Sequence, residues 1–118
     1  MTVLLIASNG ALPKTVNVQI ESDGPALLSL SGSCWSQVAD TMIGISVTLE
    51  GEEVGVAEIF SNAAETHRAV PSTYMKIMLD KEWPNSHTPP TYTFTINNTN
   101  ANTITDVNDN FTLALHPA

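Results

Sequence analysis

Basic residues are scarce in this chain. Lys14, Arg68, Lys76 and Lys81 are its only lysines and arginines, against twelve acids, for a formal charge of −8 over 118 residues. Phosphate recognition draws on clustered Lys and Arg, so this balance argues against nucleic acid as a partner. It argues equally against an anionic membrane surface. The acidity suits a cation ligand, or solubility alone. Cysteine is almost absent: a single Cys34 can form no internal disulfide and indicates no redox compartment. Long apolar runs are missing too. Residues 3–7, VLLIA, are too short for a secretory core and follow no basic segment. Nothing approaches the roughly 20 apolar residues of a membrane helix. The expectation is a chain with no signal peptide and no transmembrane segment, cytoplasmic or exported by a non-classical route. Helical periodicity is also lacking, apart from a mild tendency in residues 61–69, SNAAETHRA, read as a loop with one turn.

What the chain does have is alternation. Charged residues make up 14% and apolar residues 42%, and Thr, Ser and Asn fill the gap, as suits the solvent face of strands. The length predicts one domain over residues 1–118, large enough for a core without staples. Strands are predicted over Val3–Ala7, Thr15–Glu21, Ala26–Ser31, Ile43–Glu50, Glu53–Phe60, Thr73–Leu79, Thr91–Ile96 and Phe111–Leu115. Val16, Val18 and Ile20 face inward, and Asn17 and Gln19 face water. Ser22-Asp23-Gly24-Pro25 reads as a turn, and Gly32 as the end of the third strand. Glu50-Gly51-Glu52 reads as a hairpin tip. Gly44 and Gly55 sit inside strands, which implies bulges or close approach of another chain. Eight or nine strands without a convincing helix predict an all-β fold, an antiparallel β-sandwich or jelly roll.

Three segments could carry chemistry. In the first, Asp106, Asn108, Asp109 and Asn110 crowd five positions ahead of the last strand. They offer hard oxygens at short spacing, and calcium takes about six to eight such ligands. The EF-hand pattern is absent. The alternative is that these side chains satisfy their own turn and cap the entry to the strand. The second segment is the Pro-rich loop over residues 81–90, KEWPNSHTPP, where Trp83 stands near Asn85 and His87. An exposed indole flanked by amide and acid groups suits sugar stacking with hydrogen bonding, or a protein contact. The other reading folds Trp83 back over one end of the sandwich. The third is Cys34, which has no histidine near it in sequence and reads as a small buried hydrophobe. Trp35 and Phe60 are expected in a core or an interface. His67, His87 and His116 form no spaced pair of zinc ligands.

Two resemblances follow from particular stretches. DVNDN at 106–110 resembles the calcium-linker motif of cadherin repeats. That family's LDRE and DAD motifs are absent, and only eight residues follow Asn110, reading as a strand, so cadherin identity is not adopted. GPALLSLSGSCWS, MIGISVTLEGEEVGVAEIF, TYTFTINN and FTLALH, in that order, resemble the jelly-roll domains of the tumour-necrosis-factor and C1q-like superfamily. That resemblance implies a homo-oligomer, a trimer in most members, that binds proteins or glycans and in some cases calcium. The functional expectation is a non-enzymatic binding or assembly module that presents loops to a glycan or protein ligand. A calcium-stabilised structural domain and a small hydrolase or isomerase on the same fold are the alternatives.

Overall fold

Alternating apolar and polar side chains put one face of each segment against the core and the other toward water. The computed structural model describes residues 2–21, 23–82 and 88–117. Among them it contains nine strands: β1 (Val3–Asn9), β2 (Lys14–Gln19), β3 (Gly24–Cys34), β4 (Thr41–Leu49), β5 (Glu52–Ser61), β6 (Arg68–Ala69), β7 (Thr73–Leu79), β8 (Thr91–Asn98) and β9 (Asn110–Pro117). All pairings are antiparallel. A five-stranded sheet runs β1-β9-β3, and β3 then pairs with β7 along one stretch and β6 along another. A four-stranded sheet runs β2-β8-β4-β5. Only β4–β5 and β6–β7 are consecutive strands within one sheet. Every other connection crosses between sheets, which is the jelly-roll wrap. The expected β-sandwich is therefore present, and the ninth strand is the two-residue β6.

The core lies between the inner faces. Phe94, Tyr92, Ile96, Ile43, Ile45 and Val47 from one sheet meet Leu28, Leu30, Phe111, Leu113 and Leu79 from the other. Outward positions of the four-stranded sheet carry hydroxyls and amides. Thr15 bonds Thr95 at 3.0 Å, and Thr93 donates to Asn17 at 2.7 Å. Among the described residues no helix is long and apolar enough to cross a membrane.

Several boundaries differ from the sequence expectation, each for a physical reason. β3 runs from Gly24 through Gly32 to Cys34, so neither the Gly24-Pro25 pair nor Gly32 stops it. Pro25 is paired in register opposite Met78 of β7, near the end of that ladder. Gly32 is a packing requirement. A Cβ there would lie 2.6 Å from Phe111 Cδ1 and 3.0 Å from Ile45 Cδ1. β5 extends to Ser61, and the loop read over 61–69 contains β6. Phe60 stands outside the core, 54% exposed, directly opposite Met42 of β4.

The close approaches expected at Gly44 and Gly55 come from the chain itself. Gly55 faces Met75 of the opposite sheet, and Gly44 faces the Ala57 carbonyl and Glu58 of the neighbouring strand. The Gly44 amide also donates to Thr103 Oγ1 at 3.1 Å, and its carbonyl accepts from the Thr99 amide at 3.0 Å. Gly44→Ala should therefore destabilise the fold by about 1–3 kcal/mol, because backbone and not a flexible side-chain tip stands in the way. A urea midpoint unchanged from wild type would contradict this.

Candidate functional site

The outer face of the five-stranded sheet carries two histidine-centred groups, both anchored on β3. Outward positions of β3 alternate as Leu27, Ser29, Ser31 and Ser33, with Leu28, Leu30, Gly32 and Cys34 inward. Ser29 and Ser33 are four residues apart, about 13 Å along a strand.

The first group forms where the 104–109 loop meets β6. The Asn108 amide donates to Asp106 Oδ1 at 2.9 Å, a local Asx-type turn. The Asp109 amide donates to the Asp106 carbonyl at 3.0 Å, and the Asp106 amide donates back to Asp109 Oδ2 at 2.9 Å. The Asp109 carbonyl accepts from Gly10 at 3.1 Å. Paired backbone bonds between Trp35 and Ile104, 2.9 and 2.8 Å, pin the loop to the end of β3. Asp109 is fully buried, with 0% exposure. Its Oδ1 accepts the Ser33 hydroxyl at 2.7 Å and stands 2.7 Å from His67 Nδ1. A carboxylate only accepts, so Nδ1 carries the proton. His67 Nε2 lies 3.9 Å from Asp106 Oδ2, and both side chains are 37% exposed. The Trp35 ring lies against His67, centroids 5.7 Å apart.

The turn reading of residues 106–110 thus has its hydrogen bonds in place. Of the four residues singled out as calcium ligands, the fold brings Asp106 and Asp109 together and adds His67. Asn108 is exposed and contributes its amide to the turn. Asn110 begins β9, exposed and opposite Asn9. His67, Asp106 and Asp109 offer one ligand atom each, all within 4.8 Å of one another, so the group could hold a metal ion. His67 was not singled out from sequence. It is 42 residues from Asp109, and no local signal marks it.

The second group centres on His116 of β9. Its Nε2 bonds Ser29 Oγ at 2.8 Å, and its Nδ1 bonds Thr2 Oγ1 at 3.1 Å. Tyr74 of β7 lies beside it, ring centroids 6.0 Å apart and planes tilted by 42°. Tyr74, Ser29, Ala114 and Leu4 stand in register across four strands. Lys76, Leu27 and His116 form the next row. Tyr74 is 67% exposed and Leu4 61%.

Elsewhere, Cys34 is buried, and burial followed by the nearby Asp109 charge pushes its thiol up to about 12. Trp83, Asn85 and His87 lie outside the described residues. The segment just before them is anchored: the Lys81 amide donates to the Tyr92 hydroxyl at 2.9 Å, and its ammonium pairs with Glu50 at 3.1 Å. The Thr93 amide donates to the same carboxylate, and this bond and then Lys81 hold Glu50 below its ordinary pKa.

No protein-family model and no curated protein matches the sequence. Among solved structures, the chain is similar to the insecticidal delta-endotoxin Cry8Ea1 from Bacillus thuringiensis. The TM-score is 0.52 at 13% identity, over 97% of this chain and 19% of that one. The mosquito-larvicidal Cry4Aa toxin from the same bacterium aligns at TM-score 0.39 and 10% identity, over 99% and 21%. The catalytic domain of a GH87 alpha-1,3-glucanase in complex with nigerose aligns at 0.35 and 17%, over 98% and 22%. The last two likenesses are too slight to argue from. The first is one of fold alone: a β-sandwich of this kind recurs within a much larger toxin chain. This chain spans about a fifth of the length of the structures it matches.

Asp109 holds the first group together. Asp109→Ala would strand the part-buried Ser33 hydroxyl, the Asp106 amide and the His67 Nδ1–H, at about 3 kcal/mol. His67→Ala leaves Asp109 two of its three donors and should cost about 1–2 kcal/mol, less than the loss of Asp109 itself. Equal urea midpoints for the two variants would show that Asp109 has no such role.

Proposed function

We propose that the chain is a non-enzymatic binding module that takes a glycan on the outer face of its five-stranded sheet. The observation that carries this reading is Tyr74, a ring left 67% exposed on a strand and set beside an imidazole that two hydroxyls hold in place. A sugar ring offers a C–H face that packs on an aromatic and hydroxyls that hydrogen-bond around it. An amphipathic ring among Ser29, His116 and Lys76 matches both requirements. Trp83, Asn85 and His87, singled out from the sequence, would extend the same function.

Three features support a binding role over catalysis among the described residues. A thiol at about 12 holds no thiolate at neutral pH. Ser33 donates its hydroxyl to a buried carboxylate, and the one described serine–imidazole contact, Ser29 with His116, has a Thr2 hydroxyl and not a carboxylate behind the ring, so neither makes a triad. Asp109 is buried, whereas a glycosidase needs two carboxylates within reach of the sugar. Binding measured on a glycan array, then by calorimetry on the best hit, tests the proposal. Tyr74→Ala should weaken that binding at least about tenfold, in line with an aromatic anchor. Loss with Trp83→Ala alone would place the contact in the loop, and no binding to any glycan would sink the reading.

Self-association belongs to the same proposal, as the tumour-necrosis-factor-like resemblance implies. The exposed Met42–Phe60 pair at the edge of the four-stranded sheet supports it, since paired large apolar side chains in water favour burial against a partner. Light scattering should give a mass near three chains. A monomer at tens of micromolar would remove this part of the proposal and leave the glycan face standing.

A second reading, a metal-stabilised domain, is favoured by the convergence of His67, Asp106 and Asp109. The sequence by itself points to calcium on Asp106, Asn108, Asp109 and Asn110, whereas the fold gathers Asp106 and Asp109 with His67 and sets Asn110 opposite Asn9.

A further inference from the structure

We infer that His67 Nε2 and Asp106 Oδ2 hold a divalent transition metal ion of the zinc, nickel or copper class, with Asp109 aiming the imidazole. This rests on the metal reading of that group and is independent of the glycan face.

The geometry separates two roles. Asp109 is saturated: Oδ1 takes the Ser33 hydroxyl and the His67 Nδ1–H, and Oδ2 takes the Asp106 amide. As a ligand it would have to give up bonds made at zero exposure. It serves instead as the carboxylate behind a histidine, fixing the tautomer and leaving the Nε2 lone pair free. Carboxylates commonly support metal-bound imidazoles in this way. Nε2 and Asp106 Oδ2 are 3.9 Å apart, too far for a hydrogen bond. Zinc–nitrogen and zinc–oxygen bonds of about 2.0–2.2 Å set two ligand atoms about 3.3–3.5 Å apart at a tetrahedral angle, so a closing movement of about half an ångström by these part-exposed side chains brings both onto one ion.

The donor set then selects the metal. Calcium requires about six to eight oxygens. Here Asp109 is engaged and Asp106 Oδ1 already accepts the Asn108 amide, which leaves one free carboxylate oxygen and one nitrogen. Imidazole with carboxylate suits zinc, copper and nickel. Both ligands are part-exposed, so water completes the coordination and the ion exchanges freely. The indole beside His67 also has an unmet donor. The indole Nε1 of Trp35, whose ring packs on His67, is buried with no hydrogen-bond partner among the described residues.

The ion would tie the 62–67 segment to the 104–109 loop, so binding should raise the melting temperature. The test uses the full chain carrying Trp83→Phe, which leaves Trp35 as its one tryptophan. Nickel, zinc and calcium are titrated separately, with fluorescence and thermal melting as readouts. Nickel should quench Trp35, and saturating zinc should raise Tm by about 4 °C over chelator. His67→Gln and Asp106→Asn should each weaken nickel binding at least tenfold while both variants still unfold cooperatively in chelator, His67→Gln at a somewhat lower midpoint because Asp109 loses its imidazole donor. Asp106→Asn keeps an oxygen for the Asn108 amide, so it preserves the turn. Nickel binding that survives His67→Gln overturns the inference. Binding of calcium alone overturns it too, while leaving the metal reading intact. No response to any of the three ions removes both.

Discussion

The pairing of β3 with β9 is the constraint on which the rest of this molecule depends. β9 lies between β1 and β3, and β3 in turn carries β6 and β7, so the two strands form the spine of the five-stranded sheet. Their inner faces supply Leu28, Leu30, Phe111, Leu113 and Leu115 to the core. Register there leaves no slack. Gly32 stands opposite Phe111, and the ring occupies the space a side chain at 32 would need. A slip of one residue would turn the whole apolar set of β9 to water.

The same pairing builds both histidine groups on the outer face. It sets Ser29 against Ala114, which brings the Ser29 hydroxyl to His116, two residues on along β9 and on the same face. At the other end it delivers the 104–109 loop to Ser33, where Asp109 becomes buried. A buried carboxylate is tolerated only when its oxygens are satisfied. Here a hydroxyl, a backbone amide and an imidazole do so together. The loop is therefore held from within, and Asp106 and His67 are left at the surface as its part-exposed rim.

The strand set was largely legible in the sequence because alternation is a local signal. β2, β7 and β8 match their expected spans to within about two residues at each end, in the range where strand edges are ambiguous. β3 runs three residues past Ser31 and two before Ala26, because neither Gly32 nor Pro25 acts as the punctuation that glycine and proline suggest in a sequence. In the folded chain one is excluded-volume packing and the other is paired near the end of a ladder. β6 was invisible: two residues with no alternation form a strand only because the end of β3 offers open backbone groups. Phe60, expected in a core or an interface, faces away from the core because the parity of β5 turns Ala57 and Ile59 inward.

The candidate sites divide along the same line. From sequence alone came the all-β class, the inward and outward faces, and a polar turn at residues 106–109, because each follows from neighbours within a few positions. What the tertiary structure decided was company. Asp109 meets Ser33 across 76 residues and His67 across 42, and Ser29 meets His116 across 87. Tyr74 gains its imidazole neighbour only because β7 and β9 flank β3. Contacts of that span depend on strand order, and local periodicity carries no information about which strand will lie beside which.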